Sequence, residues 1–406
     1  MDRTSSRSSS FSQRLDLRVC RLLALVILAG TVSSLAQAQK FSLPYQFKGA
    51  PDGANPKAGM ITDAAGNFYG TTAFGGTSGV FGTVFKLNKN HKETVLYSFQ
   101  GADGAFPVAS LNMDAKGNLY GTTTAGGGAQ AIGVVFKLTK TGKETTLHAF
   151  TGQNDGATPS AGLIRDAKGN LYGTTMAGGF FGGGVVFKLT PPGKLIVLYS
   201  FCSLQNCSDG KGSVASLIMD SAGNLYGTTL SGGNPICSGG CGVVFKITPS
   251  RKETVLYTFC SAQNCTDGAG PAAGLIRDSA GNFYGTTSAG GDPNCNCGTV
   301  FKLSRAGHET VLHSFTGDPD GSLPEGGLAT DSKGNLYGTT VVGGTSNDGT
   351  VFKVTPAGKE TVLHSFNGGD GAGIYGDLVF DLNGNLYGTA NSGGSFGVGT
   401  IFKVTP

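Results

Sequence analysis

The sequence predicts an all-β protein: a seven-bladed β-propeller of four-stranded blades, closed by an N-terminal strand that completes the last blade. Three observations carry this. Glycine fills 69 of 406 positions while charged residues make up only 14%, and no long Ala/Leu/Glu/Lys stretch of the kind that builds helices occurs. The motif Gly-Asn-(Leu/Phe)-Tyr-Gly-Thr recurs seven times, with its Asn at Asn67, Asn118, Asn170, Asn224, Asn282, Asn335 and Asn385, at spacings of 51, 52, 54, 58, 53 and 50 residues. A second motif, Val/Ile-Phe-Lys-Leu/Ile/Val, also recurs seven times, with Lys at Lys86, Lys137, Lys188, Lys246, Lys302, Lys353 and Lys403. Collagen is excluded because the glycines do not fall at every third position.

The chain opens with the pattern of a secretory signal peptide, residues 1–38. Five arginines (Arg3, Arg7, Arg14, Arg18, Arg21) precede or flank an apolar run from Leu22 to Ala29, and Ala36-Gln37-Ala38 supplies a cleavage site. The run is far shorter than the ~20 residues that span a bilayer, so cleavage and export are expected, with no integral membrane segment in the mature chain. Cys20 precedes the apolar run and is badly placed for lipidation. Removing the leader takes away five basic and two acidic groups from 30 and 26, leaving 25 against 24, a net charge of +1. A nearly neutral chain without a Lys/Arg block carries no electrostatic footprint for nucleic acid or an anionic membrane, and neither partner is expected.

The mature domain, residues 39–406, is read as seven copies of one four-stranded plan. In the third copy the strands are Ala161 to Asp166, Leu171 to Met176, Val185 to Leu189 and Leu195 to Phe201. Asp166-Ala167-Lys168-Gly169 joins the first two strands as a type I turn with a left-handed glycine. Thr355-Pro356-Ala357-Gly358 illustrates the equivalent turn between third and fourth strands, where Pro presets φ. A unit of ~50 residues with two apolar faces must stack on copies of itself. The termini choose a ring over a line of repeats: the last copy ends at Pro406 after its third strand, while Phe41 to Phe47 (FSLPYQF) matches the fourth-strand pattern of Tyr97-Ser98-Phe99.

The recurrent GN(L/F)YGTT…GG…G(T/V)VFK(L/V) pattern resembles the GloVer (Gloeo/Verruco) tandem-repeat family, secreted bacterial proteins described as "choice-of-anchor" for their variable C-terminal sorting segments. The resemblance runs over essentially the whole mature chain. It implies an extracellular or surface-exposed repeat protein and brings no catalytic residues with it. No sorting tail follows Val404-Thr405-Pro406, which weakens the expectation of surface anchoring.

Propeller geometry puts the tight hairpins on one face and the interblade and second-to-third loops on the other. The second set is longer, variable and glycine-rich, as at 75–82, 234–242 and 291–298, so the functional face is expected there. Asp-Gly recurs in all seven interblade loops, at Asp52, Asp103, Asp155, Asp209, Asp267, Asp320 and Asp370. These read as Asx-turns; a calcium ring is the weaker alternative, since calcium needs six to eight converging oxygens. The seven lysines read as stems packed between blades with the ammonium on a carboxylate or in solvent, and the motif tyrosines as interblade packing. His148, His313 and His364 replace the fourth-strand tyrosine, and nothing sets them beside a nucleophile or metal.

Eight cysteines remain after the leader: Cys202, Cys207, Cys237, Cys241, Cys260, Cys265, Cys295 and Cys297. An even number in an exported chain reads as disulfides. The near-identical segments FCSLQNC (201–207) and FCSAQNC (259–265) favour Cys202 with Cys207 and Cys260 with Cys265, and Cys237 with Cys241 follows. Cys295 and Cys297 lie only two apart, so their partners stay open. Zinc is the competing reading, without paired Cys-x-x-Cys knuckles to support it. No cofactor is expected.

The expected function is a secreted, monomeric binding or interaction module for protein or carbohydrate at the cell envelope. The alternatives are an extracellular hydrolase or lyase at the channel mouth, for which Glu325 and Asp377 are the carboxylates to inspect, and a purely structural surface repeat.

Overall fold

The computed structural model describes residues 40–130, 132–191 and 193–406. The expected leader, with Cys20, lies outside the described residues. Residues 40–406 form one compact unit with seven four-stranded antiparallel sheets. Only two single-turn 3₁₀ segments, Gln205–Cys207 and Gln263–Cys265, interrupt the all-β pattern among the described residues.

Blade 1 shows the plan: Ile61–Thr62, Phe68–Thr72, Thr83–Leu87 and Glu93–Ser98, each paired to the next. In blade 7, Val379–Phe380, Leu386–Ala390 and Thr400–Thr405 are completed by Lys40–Gln46, with Lys40 opposite Thr405 and Gln46 opposite Thr400. The N-terminal strand therefore closes the ring. First strands are shorter than the sequence implies; in blade 3 only Ile164–Arg165 pairs. The residues ahead of it leave the sheet to line the axis, where the Gly162 N–H donates to Ser216 Oγ of the next blade at 3.1 Å.

The repeated motifs each have a physical task. In the first hairpin of blade 3 the Gly169 N–H donates to the Asp166 carbonyl at 3.0 Å, with Gly169 at φ +84°, a conformation that disfavours any residue with a Cβ. Asp166 Oδ1 accepts the N–H groups of Lys168 and Asn170, and its Oδ2 accepts Asn170 Nδ2 and the Tyr172 hydroxyl. Burial alone would raise the Asp166 pKa, but these bonds outweigh it and hold the carboxyl below its ordinary value. The motif's Asn and Tyr thus bind the turn aspartate. In Tyr-Gly-Thr, a Cβ on Gly173 would stand 2.7 Å from the Phe187 ring, so only glycine lets the third-strand Phe cross it. The threonine reaches the next blade: Thr122 Oγ1 donates to the Ala161 carbonyl at 3.0 Å, and Thr389 to Ala58 at 2.9 Å across the closure.

Between blades, the fourth-strand Phe of one meets the third-strand Phe of the next edge to face. Phe99–Phe136, Phe201–Phe245 and Phe366–Phe402 have centroids 5.1, 5.0 and 5.0 Å apart, and Phe47–Phe85 at 5.2 Å makes the same contact across the closure. These rings are fully buried; each carries the ~3 to 5 kcal/mol that truncating a core Phe removes.

Candidate functional site

The sequence reading put the ammonium of the seven strand lysines on a carboxylate or in solvent; among the described residues none of them pairs with a carboxylate. Each stands over the tyrosine opposite it in its own sheet, as Lys86 over Tyr69 at 5.6 Å and Lys403 over Tyr387 at 5.6 Å. Cross-strand register brings them together, and the ring face holds the ammonium. Among the described residues the salt bridges are three His–Asp pairs. The tyrosines also pack between blades: Tyr226 lies 4.8 Å from Phe283 of the next blade.

The interblade and second-to-third loops share one face, joined by short bridges such as Ala157 with Ala177 and Ala269 with Ala289. The Asp-Gly aspartates stand there, one per blade. Asp52 accepts the Tyr45 hydroxyl and the N–H groups of Lys48 and Gly53. Asp103 and Asp267 accept Tyr97 and Tyr257, and Asp209 accepts Tyr199 and Ser203. In the remaining loops the fourth-strand histidines take the tyrosine's place, pairing His148 with Asp155, His313 with Asp320 and His364 with Asp370 at 3.1, 3.0 and 2.9 Å. These carboxylates hold the loops, although Asp267 Oδ1 is buried without a hydrogen-bond partner, and the spacing offers a calcium ion one carboxylate per blade.

A half-buried glutamate at the start of the next blade's fourth strand faces most of these aspartates. Burial first, and the adjacent aspartate second, push Glu93 (by Asp52), Glu144 (by Asp103), Glu253 (by Asp209) and Glu309 (by Asp267) up to about 7. Glu360 also reaches about 7 through burial, with His313 opposing and Asp320 adding to the rise. The Oε1 atoms of Glu93, Glu253, Glu309 and Glu360 are buried without a hydrogen-bond partner. The sequence reading missed these glutamates, although their recurrence as the first residue of the fourth strand was a signal. Glu93, Tyr45, Asp52 and Tyr97 also line a cavity of about 840 Å³ at the ring closure.

On the same face the cysteines form four disulfides: Cys202–Cys207, Cys237–Cys241, Cys260–Cys265 and Cys295–Cys297. The last is the pairing that sequence separation had left open. Two of them touch, with Cys237 Sγ 3.4 Å from Cys260 Sγ.

The two carboxylates singled out from sequence converge in the central channel, together with two residues the sequence reading missed. Aligning the copies shows why: the position that is Val108, Ser160, Val214 and Ala272 in blades 2–5 is Lys57, Glu325 and Tyr375 in blades 1, 6 and 7. Lys57 Nζ stands 5.4 Å from the Tyr375 ring. Burial raises the Glu325 pKa, and Lys57 partly offsets it. Asp377 is exposed to solvent, but only within the narrow central channel. That enclosure raises its pKa, although it accepts the Gly327 N–H at 2.6 Å. The cavity here holds about 90 Å³, well under the ~300 Å³ where ordinary ligand pockets begin.

The most one-sided feature of the surface is apolar. Among the described residues, eight of the nine exposed large apolar side chains lie on the loop-rich face: Phe74, Val80, Met176, Phe180, Phe181, Leu204, Ile236 and Phe396. Leu382, in a hairpin turn, is the ninth. Phe180 is 73% and Ile236 72% exposed. Phe180 and Phe181 meet edge to face at 4.9 Å. Their loop is tied to the loop bearing Leu204 by the Gly212 N–H donating to the Gly183 carbonyl at 2.9 Å.

Fold and surface together define a seven-bladed propeller with a hairpin face built from saturated turns and a stapled loop face bearing exposed apolar groups. The Gloeobacter/Verrucomicrobia repeat profile matches residues 27–235 and 213–406, and the chain belongs to that family. No curated protein matches it. Solved structures share the fold at low identity. The extracellular domain of a one-component system protein of B. thetaiotaomicron is 10% identical over 88% of this chain and 39% of its own, with a TM-score of 0.54. PorZ, a surface component of the type-IX secretion system of Porphyromonas gingivalis, is 16% identical over 89% and 48%, with a TM-score of 0.52. A gluconolactonase of Xanthomonas campestris is 15% identical over 87% and 96%, with a TM-score of 0.45. This chain thus spans less than half the length of the first two. Among the described residues no helix is long and apolar enough to cross a membrane.

Proposed function

We propose that the protein is an extracytoplasmic binding module whose loop-rich face engages a protein partner at the cell envelope. The observation that carries this is the concentration of exposed apolar side chains on that face, led by Phe180, Phe181 and Ile236. Solvated apolar groups gathered on one face of a rigid scaffold mark an interaction surface. Among the described residues the exposed large apolar rings on that face are all phenylalanine, and the chain has no Trp; a sugar-stacking platform draws instead on rings with a polar edge, which favours protein over glycan. Four disulfides stiffen neighbouring loops and fit an oxidising compartment. Stiff loops lose less freedom on binding. The hydrolase or lyase reading is the weaker one, because the channel cavity beside Glu325 and Asp377, about 90 Å³, is well below the ~300 Å³ of ordinary ligand pockets.

The test is saturable binding of the protein to isolated envelope fractions of a Gram-negative bacterium. Phe180→Ser with Phe181→Ser should weaken binding at least ~10-fold, a modest loss for two interface aromatics, while leaving the melting temperature unchanged. Leu382→Ser on the hairpin face should bind as wild type. Equal binding by all three proteins would sink the assignment.

A further inference from the structure

We propose that Cys237, Cys241, Cys260 and Cys265 form, in the reduced chain, a four-thiolate site for a zinc ion. All four Sγ atoms lie within 4.8 Å of one another, and Cys237 and Cys260 from different loops come to 3.4 Å. A tetrahedral zinc with bonds of about 2.3 Å sets its sulfurs about 3.8 Å apart. The two contacting disulfides therefore need to open by less than about 2 Å each to reach that geometry. The spacings, Cys-x₃-Cys and Cys-x₄-Cys, fall inside the range used by structural zinc sites. This revises the sequence argument, which looked only for Cys-x-x-Cys.

The neighbouring blade junctions act as internal comparisons. The interblade loops 201–207 and 259–265 are near copies, with the same 3₁₀ turn and the same left-handed Asn, Asn206 and Asn264. At the first, a glycine, Gly183, stands against Cys202. At the second, the blade 4 loop brings Cys237 and Cys241 instead. At the third, Cys295 and Cys297 face Phe315 and Gly317, which offer no sulfur. Among the described residues this is the one group of three or more His, Cys, Asp or Glu side chains arranged to hold a metal. The two loops are already docked: Asn234 Nδ2 donates to the Cys260 carbonyl at 2.7 Å, and the Gly270 N–H to the Cys241 carbonyl at 2.8 Å. Cys241 and Cys260 are buried, while Cys237 and Cys265 are half-buried and give solvent access.

Two molecules of a dithiol open the two disulfides. Each passes two electrons and two protons to a cysteine pair and leaves as its cyclic disulfide. Zinc binding then releases four protons to solvent and forms four Zn–S bonds.

The experiment uses the full chain carrying C202S, C207S, C295S and C297S, reduced anaerobically with a dithiol, desalted and titrated with Co²⁺ as a spectroscopic stand-in. The expected result is one Co²⁺ per chain, with thiolate charge-transfer and tetrahedral ligand-field bands that Zn²⁺ abolishes. Adding C237S and C260S should remove the bands. Should reduction unfold the chain, Zn²⁺ is expected to restore a cooperative melt. The proposal fails if the reduced chain takes up no Co²⁺, if uptake survives C237S and C260S, or if an unfolded reduced chain stays unfolded with zinc.

Discussion

Replacing the interblade glutamates should stabilise the ring at neutral pH and do nothing in mild acid. The ordinary glutamate value is 4.5, and Glu93, Glu144, Glu253, Glu309 and Glu360 are pushed to about 7. A folded-state pKa above the unfolded one means that the folded chain binds the proton more tightly. The associated stability is complete below pH ~4.5 and is lost as pH rises through ~7. A fully shielded group displaced this far would account for roughly 3 kcal/mol. These side chains still meet water, so about 1 kcal/mol each is the realistic figure. The fivefold Glu→Gln variant should gain about 5 kcal/mol at pH 8. At ~2.1 cal/mol/K per residue over the folded domain this raises Tm by about 6 °C. Differential scanning calorimetry from pH 4 to 8 provides the assay. Wild type should melt highest near pH 4 to 5, because the hairpin aspartates, such as Asp166, sit below their ordinary value and lose their contribution as pH falls further. A variant whose Tm follows wild type in parallel across this range would refute the carboxyl-pair reasoning.

Other predictions test the closure. Thr389→Val removes the hydroxyl that donates to Ala58 across the join and should cost about 1 to 2 kcal/mol in urea denaturation, since the buried carbonyl loses its partner. A chain starting at Phe47 lacks the strand Lys40–Gln46 that completes blade 7, whereas one starting at Lys40 keeps it. The shorter chain should lose its single cooperative melt, and an unchanged melt would contradict the ring-closing role.

Much of this fold could be read from the chain because its determinants are local and repeat. Asp166 to Gly169 is a turn by its own chemistry, and Phe41 to Phe47 matches Tyr97 to Phe99 closely enough to reveal the closing strand. What was hidden depends on register and on distances between blades. Lys86 faces Tyr69 only because the second and third strands pair in that register. Phe180 and Phe187 lie seven residues apart in one blade, one exposed and one buried, and no local pattern separates them. Glu325, Tyr375, Asp377 and Lys57 come from three blades, and their meeting follows from ring geometry. Cys237 and Cys260 touch because a loop of blade 4 docks on the loop leading into blade 5.

The most direct test of the account is hydrogen–deuterium exchange of the protein alone and in the presence of the envelope fraction proposed to bind it. Protection confined to 176–184, 203–208 and 234–240 is the predicted result. Protection centred on the hairpin turns, such as 166–169 and 381–384, would contradict it.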